Sequence, residues 1–137
     1  MTLYQFSAML MQQVFLLLLA FSPCKGYSQD GESIIGKWLK TPKEDLIIEV
    51  FKSEDEYKGK IIWIKDTASV KQIGFQILEG LKYDAKRKIW SNGRVRNPKS
   101  NSTYKATAKI RADGTLEVLA YKGMKFIGRK KFFKRVK

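Results

Sequence analysis

Three consecutive acids, Glu54, Asp55 and Glu56, form the densest cluster of proton-handling groups in this chain. Glycoside hydrolysis and related acid–base chemistry need two carboxyl groups facing each other across a cleft. Three sequence neighbours between two apolar runs read instead as a short solvated turn. Glu79 and Glu117 lie well inside strand-like runs, and no spacing brings them together. Glu79 shares a strand face with Ile77 and Leu81, which makes it the one acid that could be buried; the favoured reading is a place at a barrel mouth or a lysine partner. The chain contains no histidine, which excludes Ser-His-Asp and Cys-His nucleophiles and any histidine-bearing metal site. The expectation is therefore no enzyme, no cofactor and no metal.

Binding chemistry is better represented. From residue 85 to the end the chain carries 17 basic and 2 acidic residues, against 9 and 11 in residues 29–84. That asymmetry suits an anionic partner, although outward lysines on alternating strands would also serve solubility alone. The final run, "GRKKFFKRVK", places six basic residues around two phenylalanines. Aromatics interleaved with cations can stack on bases or touch lipid while the cations meet phosphates. An exported chain meets envelope lipid, an anionic glycan or an acidic protein more readily than nucleic acid. A second set, Trp63, Phe75, Trp90, Tyr104 and Phe126, would line the interior of a small barrel, with Arg129 placed to meet an anionic headgroup. Each of these aromatics could equally be plain core.

The stretch "WSNGRVRNPKSNSTYKA" (residues 90–106) has the turn residues and arginines of a phosphate-binding loop, yet it lacks the repeated glycines and the helix start such a loop requires. It reads as two turns, at Asn92-Gly93 and Asn97-Pro98, around a short strand bearing Arg94 and Arg96.

The elements that position these residues have a period of two. "LIIEVFK" (46–52), "YKGKIIWIK" (57–65), "IGFQILEGL" (73–81) and "TLEVLAYK" (115–122) are apolar, β-branched or aromatic, as strands should be. "STYKATAKIRA" (102–112) alternates most cleanly, with Tyr104, Ala106, Ala108 and Ile110 on one face. Asp113-Gly114 and Gly123-Met124 supply hairpin turns, leading finally into "KFIGRKKFFKRV" (125–136). With "GKWLK" (36–40) and the region of Trp90, the count is about eight strands, which predicts an all-β, closed antiparallel barrel that leaves few exposed edges. Strands this short imply a ligand that is small or only partly enclosed.

Residues 1–28 stand apart. "VFLLLLAF" (14–21) has the length of a secretory h-region rather than a membrane span, and Gly26 and Ser28 sit at −3 and −1 of a cleavage site before Gln29. No lysine or arginine precedes the run. The reading is a cleaved signal peptide (1–28) and one domain (29–137), exported to the periplasm or beyond and monomeric, with no transmembrane segment after cleavage. Cys24, the single cysteine, falls in the removed segment, so the domain carries no internal disulfide.

The motifs together resemble the bacterial exported domain-of-unknown-function family twenty-one forty-seven. The points of contact are Gly36-x-Trp38, "YKGKIIWI" (57–64), "ILEGLKYD" (77–84), Trp90 with Gly93, Pro98, Tyr104, and "YKGMKFIGRKKFFKRV" (121–136). The resemblance implies a lipocalin-like barrel and no established activity. In such barrels the tryptophan of a Gly-x-Trp on the first strand packs at one end, beneath an arginine from the last strand; Gly36, Trp38 and Arg135 match that closure. The chain departs from the family in "KDTASVKQI" (65–73), which lacks an Asp-x-x-Asn-Pro segment. The function expected is binding of a small lipophilic or anionic molecule, with a basic-surface module for an envelope lipid, glycan or acidic protein as the alternative.

Overall fold

The computed structural model describes residues 29–137; the segment expected to be a signal peptide, with Cys24, lies outside the described residues. One helical turn, α1 (Gln29–Glu32), precedes eight strands: β1 (Gly36–Thr41), β2 (Leu46–Ser53), β3 (Glu56–Ile64), β4 (Gln76–Asp84), β5 (Ile89–Arg96), β6 (Thr103–Ile110), β7 (Leu116–Tyr121) and β8 (Arg129–Arg135). Each strand pairs antiparallel with the next, and β8 returns to β1 with Trp38 opposite Arg135, so the barrel closes without a free edge. Short 3₁₀ helices interrupt two connections, at Thr67–Gln72 and Lys125–Ile127.

Alternation drives the folding of the wall. Ile48 and Val50 of β2, Ile61 of β3, Leu78 and Leu81 of β4, and Leu116 of β7 point inward with Trp38 and are all 2 % exposed or less. Along β6, Tyr104, Ala106, Ala108 and Ile110 share the inner face, as the sequence pattern requires. The small alanines leave space that larger neighbours fill.

The alternation breaks on three strands. In β3, Ile47 faces Trp63 while Ile48 faces Ile61, so Ile62 is an extra residue that reverses the phase beyond it. Trp63 consequently turns outward and Ile64 turns in. In β4, Gly80 at φ +75° separates the inward Leu78 and Leu81. Glu79 is therefore not buried inside: its side chain lies on the outer face, where two arginines rather than a lysine, Arg94 and Arg96, bond it at 3.5 and 3.4 Å. In β5, Asn92-Gly93 is not a turn. Asn92 (φ +62°) is a bulge inside a continuous strand that carries Arg94 and Arg96, and the reversal before it is the 85–88 turn. Gly93 is needed because a Cβ there would come within 2.5 Å of Leu81 Cδ2. An Asn-Gly pair meets the positive-φ requirement of either device, and packing against Leu81 selects the bulge.

Antiparallel order separates the loops into two ends. The tight connections 54–55, 85–88 and 111–115 lie at one end, together with the N-terminal strap. The longer connections 42–45, 65–75, 97–102 and 122–128 surround the other.

Candidate functional site

The narrow end is sealed by hydrogen bonds to the backbone carbonyls of the strap. Trp90 Nε1 donates to the Gly31 carbonyl at 3.0 Å and Trp38 Nε1 to that of Ile34 at 2.9 Å. Arg135 stacks its guanidinium 4.2 Å from the Trp38 ring centroid, and from there donates to the Ile35 carbonyl at 3.0 Å and to that of Ser33. Gly36 makes room for it, since a Cβ at that position would approach Arg135 Nη1 to 2.7 Å. The Gly-x-Trp spacing is thus the footprint of an arginine crossing β1.

The wide end opens into a cavity of about 800 Å³, within the ~300–1,000 Å³ range of small-molecule sites. Its floor is apolar: Ile48, Ile61, Leu78, Val118 and Phe133. Its upper wall and rim are cationic, with Lys40, Arg96, Lys99, Lys122, Arg129 and Lys131 against two carboxylates, Asp45 and Asp66. Asp66 is already used, accepting from Ala68 N at 3.0 Å and Ser69 Oγ at 3.1 Å to cap the 3₁₀ helix. Asp45 keeps one buried oxygen without a hydrogen-bond partner among the described residues.

The cations differ in availability. Arg96 is paired with Glu79, and Lys122 lies 4.7 Å from the Tyr104 ring centroid. Lys40, Arg129 and Lys131 have no carboxylate partner among the described residues. Register explains why they meet. Arg129, Lys131, Phe133 and Arg135 alternate along the inner face of β8, and Lys40 of β1 is the direct partner of Phe133. Two neighbouring strands therefore carry three unpaired cations above an apolar floor. A carboxylate or phosphate head would find donors there while its hydrocarbon tail displaced water below.

Of the residues expected to line a site, Tyr104 and Arg129 do so. Trp63 does not: the β3 bulge leaves it 41 % exposed on the outer face. Phe75 packs against the core away from the cavity lining, and Trp90 is spent on the seal, its ring centroid 4.9 Å from that of Tyr83 at a tilt of 47°. Phe126 is 82 % exposed in the 122–128 loop. Lys40 and Lys131 were missed, although the signal was present: once Trp38 and Arg135 point inward, alternation carries Lys40 and Lys131 with them. The expected stacking surface on the last strand is not formed. Phe133 is buried, Phe132 sits half-buried beneath Arg111 at 5.5 Å, and Lys130 and Lys134 pair with Glu117 and Glu44. Glu79 and Glu117 also stay apart, Glu79 bonded by two arginines on β5 and Glu117 held between Lys109 and Lys130 at 3.3 and 3.6 Å.

Comparison with solved structures finds the same architecture in protein HP1028 from the human pathogen Helicobacter pylori, described as belonging to the lipocalin family. The TM-score is 0.60 at 17 % identity, covering 76 % of this chain and 83 % of that one. Comparison with curated protein sequences gives no match. A family model described as "Uncharacterized protein conserved in bacteria (DUF2147)" matches residues 36–135, the whole barrel from Gly36 to Arg135. The chain belongs to that bacterial family, and its fold is a lipocalin-like barrel.

Proposed function

We propose that this barrel is a non-catalytic binding protein for one small amphiphilic anion, held with its tail on the apolar floor and its head against Lys40, Arg129 and Lys131. The observation that carries the reading is the placement of those three unpaired cations on adjoining strands above a floor that includes Ile48, Val118 and Phe133. An apolar cavity alone would suit a neutral lipid; a cationic rim facing only the surface would suit any polyanion. Their stacking in one opening selects a molecule with both parts. The binding reading, rather than catalysis, is supported by the engagement of the acids: Glu79 and Glu117 lie apart under cation partners, and of the two carboxylates at the opening, Asp66 is held in capping the 3₁₀ helix. The apolar run at 14–21 supports export as the setting.

The test is calorimetric titration of the 29–137 domain with laurate, lauric acid methyl ester and dodecylammonium, which share a tail and differ in head charge. Laurate is expected to bind at one molecule per chain and the ester about tenfold or more weakly, the size of one charge-assisted contact. Val118→Trp, which fills the floor, should abolish binding. Equal affinity for all three heads would refute the role of the cations, and failure of laurate to bind would refute the reading as a whole.

A further inference from the structure

The exposed apolar side chains of this barrel are concentrated at one end. Met124, Phe126 and Ile127 are 59, 82 and 69 % exposed on the 122–128 loop, and Val70 and Ile73 are about half exposed on the 65–75 loop. Strand order places these two loops on opposite sides of the cavity mouth. Cations share the loops: Lys122 and Lys125 precede Phe126, Lys71 lies between Val70 and Ile73, and no acid occurs after Glu117.

We propose that the wide end docks onto an anionic phospholipid bilayer, with the Met124–Ile127 turn entering the interface and the lysines of the two loops meeting headgroup phosphates. The shape of the patch separates a bilayer from other occupants. The tip is a single convex 3₁₀ turn, so it offers no groove to a peptide, whereas a fluid interface closes around a protruding Phe. A second copy of the chain would bring two cationic mouths together. Charge complementarity therefore points to an anionic surface, and apolar tips on both sides of the mouth point to a penetrable one. Docked this way, the cavity would open onto the bilayer that supplies or receives an amphiphile. The surface itself does not depend on the cavity being filled.

The experiment is co-sedimentation of the 29–137 domain with vesicles of phosphatidylcholine, alone or mixed with phosphatidylglycerol. Wild type is expected to sediment with the mixed vesicles and poorly with phosphatidylcholine alone. Phe126→Ser with Ile127→Ser keeps every charge and should lower partitioning about tenfold or more, because the apolar contribution is lost. Lys86→Gln with Lys88→Asn removes two cations from the narrow end and should leave partitioning within about twofold. Phe126→Trp should blue-shift on binding and be quenched by brominated acyl chains. Val118→Trp should dock like wild type, so failure of the amphiphile reading and failure of docking are distinguishable. Equal losses in the two double variants, full binding by the Phe126/Ile127 variant, or no wild-type binding to anionic vesicles would each overturn the proposal.

Discussion

Replacing Arg135 with methionine isolates what holds the narrow end shut. The substitution keeps an apolar stem over Trp38 and removes the guanidinium, with its stack at 4.2 Å and its bonds to the Ile35 and Ser33 carbonyls. A hydrogen bond from a charged donor is worth about 1.5–3 kcal/mol and the stack about 0.5–1 kcal/mol at an exposed site. The guanidinium is exposed at its edge, so solvent replaces part of both bonds, and the loss should be about 2–3 kcal/mol. For a domain of this length that corresponds to a fall in Tm of about 8–15 °C. Urea unfolding followed by far-UV circular dichroism measures it directly. The partners are neutral carbonyls and an indole, so about 0.5 M salt should leave the difference between variant and wild type nearly intact, unlike an ion pair. Arg135→Lys should fall between the two, because an ammonium lacks the planar fork. A loss below about 0.5 kcal/mol in Arg135→Met, the scale of an ordinary surface substitution, would refute the seal.

Three further outcomes follow from the same geometry. Gly93→Ala forces a methyl group to 2.5 Å from Leu81 Cδ2 and should cost about 1–3 kcal/mol by urea denaturation, partly recovered in the Leu81→Ala background; an unchanged single variant would show that β5 has room at its bulge. Asp84 is held below its ordinary value of 3.8 mainly by the Arg87 side-chain hydrogen bond, and Asp113 mainly by the Thr115 backbone N–H. Folded values below the unfolded ones mean a contribution fully present above 3.8 and lost as pH falls through the folded values, so Asp84→Asn with Asp113→Asn should flatten the acid limb of stability; urea midpoints between about pH 2 and 6 that parallel wild type would contradict this. Lys131→Glu should weaken laurate binding about tenfold or more while leaving the unfolding free energy from urea titration within about 0.5 kcal/mol, because Lys131 has no carboxylate partner among the described residues; a large stability change would mean that it is structural.

How far the sequence can be read depends on where the strands keep strict phase. β6 carries no bulge, and its inward residues Tyr104 to Ile110 follow directly from alternation. β3, β4 and β5 each contain at least one, and these are the strands on which Trp63, Glu79 and Asn92 are misplaced by a period-two reading. A bulge is one residue long and reverses every side chain beyond it, yet its local signature is a Gly or Asn that a turn also uses. Gly80 and Gly93 show the ambiguity: one relieves a positive φ, the other a contact with Leu81 that sequence does not reveal. The closure of the barrel was legible because Gly36, Trp38 and Arg135 impose chemistry on each other at the two ends of the fold. The site was half legible. Arg129 follows from its position on the last strand, whereas the large aromatics were drawn to the seal, the outer face and the loop tip. Trp63 outside and Trp38 and Trp90 at the narrow end also mean that intrinsic tryptophan emission reports poorly on the cavity.

The central claim, an amphiphilic anion with its head on the β8–β1 wall, is tested most directly by carbon NMR of carboxyl-labelled laurate bound to the domain and titrated with acid. The account predicts one bound carboxyl resonance whose pKa is lowered from the ordinary carboxylate range of about 4–5, because Arg129, Lys131 and Lys40 favour the ionised head. The same titration in Lys131→Glu should return the pKa toward that range. A bound resonance with a raised pKa would place the head in the apolar floor, and no bound resonance would leave the cavity without the ligand assigned to it; either result contradicts the account.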